Sequence, residues 1–226
     1  MEGKPRLVKR PAHVPAHRGG VAGIRLDAWE KGAAVRELVD RYFRRYGPVT
    51  ESDIAWWTGL PKAAVRGALG LLPNVVHVSI EGSASVFLAH QCDIGDARRR
   101  CDSMAEQVAL LPVLDPYLQG YRHRGGCVEP AHLPFVVDRS GNSKSVILIG
   151  GRVAGVWDMV AKPSPELRVC FLRSLDAATR ARVLAAANDT AEFLTEAPAP
   201  VIEVDHMTPL PQGTAGSFLS PLKNAH

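Results

Sequence analysis

The chain has 226 residues, of which 46% are hydrophobic and 22% charged, a composition that excludes a wholly disordered protein. At roughly 100–200 residues per domain, this length accommodates one large domain or two small ones. No apolar run reaches the ~18 residues of a membrane helix, and no apolar segment follows the basic N-terminus as in a secretory signal. We therefore expect no contact with a membrane.

The positive charge is concentrated at the N-terminus. The first 31 residues contain seven Lys or Arg and three Asp or Glu, an excess equal to the net charge of +4 of the whole chain. Residues 1–32 are also rich in Pro and Gly, which predicts a basic, irregular arm. Such an arm either contacts nucleic-acid phosphates or is a disordered leader without a function.

The cysteines and histidines indicate neither a metal site nor a cofactor. Cys92, Cys101, Cys127 and Cys170 include no CxxC pair, and no His lies at zinc-finger spacing from them. The eight histidines form no recognisable arrangement with a Cys or Ser nucleophile. Scattered thiols without a signal peptide are typical of a reduced, cytoplasmic protein.

Residues 33–92 predict a helix–helix–helix–hairpin order. Apolar residues recur at steps of three and four from Ala33 and stop at Gly47-Pro48, which predicts an amphipathic helix. Thr50, with Asp53 three residues later, predicts the capped start of a short helix over 51–58. A third helix is expected from Lys62 to about residue 71, and alternating strands over 74–80 and 84–89 should form a wing. This pattern predicts a winged-helix module, the alternative being another small helical unit beside a hairpin.

Residues 93–196 predict a second α+β unit. We expect a helix over 96–111, a hairpin about Gly150-Gly151, a strand over 167–172 and a helix over 176–195. The segment 111–118 should join the two units and be largely buried. From 197 to 226, prolines among small and polar residues predict a loose tail.

Three strings occur in the order of a known family: YGPVTESDIAWWTGLP, LLPVLDPYLQGYRHR and GNSKSVILIGGRVAGVW. Over about residues 33–195 the chain resembles the HTH_42 winged-helix family, which includes bacterial DNA glycosylases that excise alkylated bases and unhook interstrand crosslinks. The resemblance implies an α+β fold of tandem winged-helix modules, the second of them over 93–196, around a concave surface that holds DNA.

The resemblance also implies a Gln-x-Gln or Gln-x-Asp motif that positions water, in a winged helix that precedes the matched part. The segment before Ala33 is too short for that module and contains no Gln, so we expect a truncated or catalytically deficient member. Gln91 and Asp93 match Gln-x-Asp, but they follow the wing, and we interpret their spacing as coincidence.

The candidate DNA-binding residues are cationic or aromatic. Lys62 and Arg66 lie one turn apart on the third helix, which in a helix-turn-helix enters the major groove. The alternative for these two is a solvated face without a partner. The other candidates are two residues that end the first helix and three that follow the turn at 115–116: Arg44, Arg45, Tyr121, Arg122 and Arg124. For Arg44 and Arg45, the competing interpretation is that their charges complement the helix dipole. For the stretch after the turn, it is packing in the core.

The adjacent pair Trp56 and Trp57 could stack on bases. Adjacent helix residues point about 100° apart, however, so we expect one ring in the core and the other at the seam between the units. Taken together, the sequence predicts a monomeric protein that binds double-stranded DNA. An active DNA glycosylase and a transcription regulator remain the alternatives.

Overall fold

The computed structural model describes residues 29–81, 83–95, 104–161, 163–205, 207 and 209–210. The basic arm therefore lies outside the described residues up to position 28, and its last residues, Lys31 and Gly32, already belong to the first helix. None of the helices in the described ranges is long and apolar enough to cross a membrane.

The first unit consists of three helices and a two-stranded hairpin. Helices α1 (Lys31–Tyr46), α2 (Glu51–Thr58) and α3 (Lys62–Leu69) precede strands β1 (Val75–Ser79) and β2 (Val86–His90). The strands are antiparallel, and Val49 pairs with Leu88 as a third, single-residue strand. The three helices enclose an apolar core of Val39, Tyr42, Phe43, Val49, Ile54, Val65 and Ala68. The predicted order over residues 33–90 is thus present.

Local sequence signals explain where these helices begin and end. The Thr50 side chain accepts a hydrogen bond from the backbone N–H of Asp53, and the Asp53 carboxylate accepts one from the N–H of Thr50. This reciprocal pair is the predicted capping box. Helix α2 ends at Gly59, whose φ of 69° suits a residue without a Cβ.

The second unit is built on a five-stranded sheet. Its strands are β3 (Val108–Leu111), β4 (Val146–Ile149), β5 (Arg152–Val160), β6 (Glu166–Phe171) and β7 (Val201–Glu203), in that order across the sheet. Neighbours are antiparallel except β6 and β7, which are parallel and are connected by the long helix α6 (Ala177–Thr195). Two short helices, α4 (Pro116–Gln119) and α5 (Leu133–Val136), lie between β3 and β4, with a 3₁₀ turn over Pro130–His132 before α5.

The sheet is buried on both faces. Helix α6 packs Val183, Ala187 and Ala191 against one face. The other face is covered by α4, α5 and the residues between them, together with Val204 and Met207 near the end of the described chain. Strand β4 is accordingly buried at all of its positions, as a strand between two apolar layers must be.

Three expectations for this part of the chain are corrected. Residues 108–111 are a strand, because they pair with β4. Of the predicted helix over 96–111, residues 96–103 lie outside the described residues, and Met104 is the one described position with helical geometry. Residues 201–203 pair in parallel with β6 as the edge strand of the sheet, so the segment from 197 to 205 is part of the fold, while residues 206, 208 and 211–226 lie outside the described residues. The order of elements after residue 93 also differs from helix–helix–helix–hairpin, since one mixed sheet and one long helix dominate it.

The hairpin about Gly150 and Gly151 has the expected turn. Their φ angles are 58° and 77°, and two consecutive positive values are what a type I′ turn requires. A Cβ at Gly150 would lie 2.7 Å from the carbonyl oxygen of Ala105, so a side chain is also excluded there by close packing.

Candidate nucleic-acid interface

Helix α3 presents two of the candidate cations on its open face. Val65 and Ala68 are buried against the other helices of the first unit, which turns Lys62 and Arg66 towards solvent. The Arg66 side chain is 66% exposed, and its Nε lies 3.5 Å from the Glu51 carboxylate. An exposed ion pair of this length is weak, so Arg66 can exchange it for a phosphate.

The two arginines at the end of α1 differ from each other. The Nε of Arg44 donates to Asp40 at 2.8 Å, and this carboxylate raises the pKa of Arg44. Arg45 is exposed in the same last turn, where its charge complements the helix dipole. Arg44 is thus partly neutralised within its own helix, which favours a structural role for it.

Arg44 also borders a pocket of about 360 Å³ at the base of the hairpin, together with Asn74, His90 and Gln91. His90 is 5% exposed, and its Nε2 lies 3.7 Å from Oδ1 of Asp40. Neither atom has a hydrogen-bond partner within the described part of the chain. Among the described residues that line the pocket, Arg44 is the arginine, and none belongs to α3.

Gln91 and Asp93, the residues of the Gln-x-Asp string, lie in the helical stretch 91–95 that follows β2. The two residues therefore lie on one short helical turn and not in an irregular segment after the wing. Both side chains are exposed, and the Asp93 carboxylate lies 3.5 Å from the Cys92 thiol. Residues two apart on a helix point about 200° apart, so these two do not converge on one water molecule.

The remaining three candidates lie at the seam between the two units. The Tyr42 hydroxyl donates to the carbonyl of Gly120 at 2.5 Å, and the Tyr121 hydroxyl donates to the carbonyl of Tyr46 at 2.9 Å. A Cβ at Gly120 would clash with the Tyr46 ring, so this position accepts only glycine without rearrangement. The segment that follows α4 is therefore docked tightly on α1.

Arg124 does not fit its predicted role. It is 9% exposed, and its guanidinium donates to the carbonyls of Leu118 and Gly141 and to the Gln119 side chain. Burial also lowers its pKa. Because these bonds hold the guanidinium inside the second unit, Arg124 stabilises the fold and is not available to DNA.

Tyr121 is likewise half-buried, and its ring packs edge-on against that of Tyr46 at 5.9 Å between centroids. Arg122 keeps an exposed side chain, while its backbone N–H donates to Asp53. Of the three seam candidates, Arg122 is the one whose side chain can reach a partner.

The two tryptophans both lie at the seam, and neither is in the core. Each is 43% exposed. The Trp56 ring lies 5.8 Å from the guanidinium carbon of Arg124, a cation–π contact between the units. Trp57 packs on Tyr42 and Tyr46 at centroid distances of 5.1 and 5.9 Å. The expected core position is therefore wrong, because Asp53 and Ile54 occupy the buried face of α2.

The segment 111–118 was expected to be buried, and only part of it is. Leu118 is fully buried and Leu111 is half-buried, but Leu114 is 52% and Tyr117 is 38% exposed. Leu114 also has a φ of 61°, which places a branched residue in the left-handed region. Sequence reasoning missed this loop because leucine carries no signal for a positive φ.

Comparison with known proteins identifies a family. A family model described as DNA glycosylase AlkZ-like matches residues 3–193 of the chain. This confirms the relationship to DNA glycosylases that the three strings indicate. No curated protein matches the chain.

The fold resembles that of a solved structure. The Streptomyces sahachiroi DNA glycosylase AlkZ superposes with a TM-score of 0.63 at 22% sequence identity. The similarity covers 78% of the present chain and 47% of that protein, so the chain spans about half of the length of this relative.

Proposed function

Because the chain belongs to the AlkZ-like DNA glycosylase family, we propose that it is a DNA-repair protein that binds double-stranded DNA through the exposed face of α3. The observation that carries this proposal is the exposure of Lys62 and Arg66 on the open side of α3, the third helix of the first unit. Long cations on such a helix reach phosphates and guanine edges in the major groove.

The order of elements in the first unit supports a winged helix. Three helices are followed by a hairpin, and Val49 adds a third strand between α1 and α2. We propose that this unit is a winged helix of the kind found in the HTH_42 family and that the hairpin β1–β2 is its wing. The second unit, built on the five-stranded sheet, then serves as an α+β platform joined to this winged helix.

Excision of alkylated or crosslinked bases is the second candidate function, and the family match over residues 3–193 favours it. Hydrolysis of the glycosidic bond requires a water held against the sugar of a displaced nucleotide. The side-chain directions of Gln91 and Asp93 argue against this pair as the site that holds it. We therefore propose that the 226-residue chain binds DNA without using these two residues for catalysis.

We propose that the protein acts as a monomer in the cytoplasm and binds DNA without a cofactor. Lys62, Arg66, Arg45 and Arg122 are the cations that we propose for the phosphate contacts.

The proposal is tested by the anisotropy of a labelled duplex titrated with the chain at increasing salt. We expect log K to fall linearly with log salt, since each phosphate contact releases about 0.9 counterion on B-DNA. Absence of binding at low salt would contradict the proposed function.

A further inference from the structure

The loop between β3 and α4 has an apolar tip, formed by Val113 and Leu114, which we call the prong. Each of the two side chains is 52% exposed. Isolated surface leucines are common, but two adjacent apolar residues at a loop tip expose a continuous apolar edge. The flanking leucines, Leu111 and Leu118, are by contrast at least half-buried.

The backbone of the prong is strained and firmly held. Leu114 has a φ of 61°, a conformation that a branched side chain disfavours. Its N–H donates to the carbonyl of Ser143 at 3.1 Å. The Asp115 carboxylate accepts from the N–H of Tyr117 at 2.8 Å, and the Tyr117 hydroxyl donates to the carbonyl of Gly151 at 2.7 Å. Strain that several contacts maintain, while the apolar side chain points to solvent, is characteristic of functional sites.

The surroundings of the prong are basic. Lys144 follows the residue that binds Leu114, exposed Arg139 lies in the preceding turn, and exposed Arg152 follows Gly151. The carboxylates nearby are those of Asp115 and Asp138, and both accept backbone N–H groups of their own turns. An apolar tip among cations matches a base stack flanked by phosphates better than it matches an apolar protein surface.

We infer that the prong is a wedge that enters the base stack of duplex DNA and separates neighbouring bases at the site where the protein binds. This inference rests on the proposed DNA-binding function. A rigid apolar residue lowers the cost of displacing a base because it fills the space that the base leaves. The hydrogen bond from Leu114 to Ser143 and that from Tyr117 to Gly151 in the following turn supply the stiffness that insertion requires.

The test uses the 226-residue chain and a short duplex that carries one 2-aminopurine, whose fluorescence increases when it leaves the stack. Wild type should bind the duplex and increase the fluorescence. Leu114→Gly should fold normally, because glycine suits the positive φ. Its affinity for the duplex should stay within about twofold of wild type, since phosphate contacts dominate affinity. The increase in fluorescence should be lost in this variant. Leu114→Met should retain it, and Phe193→Ser, which removes an 82% exposed apolar side chain from α6, is the matched control.

The outcomes separate the two proposals. If wild type does not bind the duplex, the proposed function fails and the wedge fails with it. If wild type binds but the fluorescence does not increase, or if the increase survives in Leu114→Gly, the wedge alone is overturned. A change of oligomeric state in Leu114→Gly would assign the prong to a contact between copies of the chain and would also overturn the wedge.

Discussion

The carboxylate of Asp53 in α2 accepts the backbone N–H of Arg122 at 2.9 Å, which joins the two units of the chain. Its second oxygen accepts the N–H and the hydroxyl of Thr50 at 2.9 and 2.6 Å. The residue is 2% exposed, so these protein groups replace the water that would otherwise solvate the charge. One side chain therefore caps α2 and fixes the segment that enters the second unit.

Replacing Asp53 by alanine should destabilise the chain by about 2–4 kcal/mol. The variant keeps the Thr50 cap but loses the hydrogen bonds that the Asp53 carboxylate accepts from Thr50 and Arg122, and bonds to a charged group are worth about 1.5–3 kcal/mol. Urea unfolding of Asp53→Ala against wild type measures the difference. Asp93→Ala, at an exposed carboxylate, is the matched control and should change stability by less than about 0.5 kcal/mol. Equal midpoints for Asp53→Ala and wild type would show that this seam bond contributes nothing.

The tyrosines at the seam should make stability depend on pH in the alkaline range. Burial is the largest cause that raises the pKa of Tyr42 above its ordinary value and that of Tyr121 to about 12. In the unfolded chain both hydroxyls ionise near pH 10, so above that pH the unfolded state is favoured by proton release. Stability should hold below about pH 10 and fall as the pH rises towards 12.

Denaturant midpoints at a series of pH values measure this effect. Tyr121→Phe removes one titrating group and should make the alkaline decline shallower, although the lost hydrogen bond to Tyr46 lowers stability at every pH by about 1 kcal/mol. An identical decline in wild type and Tyr121→Phe would mean that Tyr121 ionises equally in both states.

The sequence predicts local structure well where short-range rules decide it. The capping box of Thr50 and Asp53, the type I′ turn at Gly150-Gly151 and the start of α6 at Asp176 all depend on residues within a few positions. It fails where pairing partners are distant. Nothing near residues 201–203 indicates that they pair with β6, since that pairing depends on α6 returning the chain alongside the sheet.

The same distinction explains the site. The exposed position of Lys62 and Arg66 follows from helical periodicity alone. The burial of Arg124 depends on Gly141 and on the carbonyl of Leu118, contacts that only the folded loop creates. Likewise, Arg122, which donates to Asp53, lies 69 residues away in the sequence. The local sequence pattern therefore predicts the capping box but not the hydrogen bond between the two units.

Truncation of Leu118 should be costly. The side chain is completely buried among Val128, Val136 and Val146 on the face of the sheet opposite α6. Leu118→Ala should therefore cost about 2–5 kcal/mol in unfolding free energy, as a lost core side chain that leaves a cavity. Leu114→Ala, four residues earlier and half exposed, provides the comparison and should cost far less. Similar losses for the two variants would contradict the assignment of Leu118 to the core.

The 226-residue chain should release no detectable 7-methylguanine from alkylated DNA. Correct placement of reacting groups is worth ~7–11 kcal/mol in favourable cases, and Gln91 and Asp93 diverge on exposed positions of one helical stretch. Chromatography of the released base from methylated duplex provides the measurement. Multiple-turnover release of the base, abolished by Gln91→Ala or Asp93→Asn, would contradict this prediction and would show that the pair is catalytic.

The salt dependence of duplex binding by Lys62→Glu/Arg66→Glu tests the central claim, that α3 is the DNA-binding face. Arg173→Glu/Arg182→Glu, at exposed arginines of the second unit, changes the net charge equally and is the control. Loss of two phosphate contacts should reduce the slope of log K against log salt by about 1.8 in the α3 variant and leave the control slope unchanged. An unchanged slope in the α3 variant, or an equal reduction in both, would show that DNA binds elsewhere on the protein.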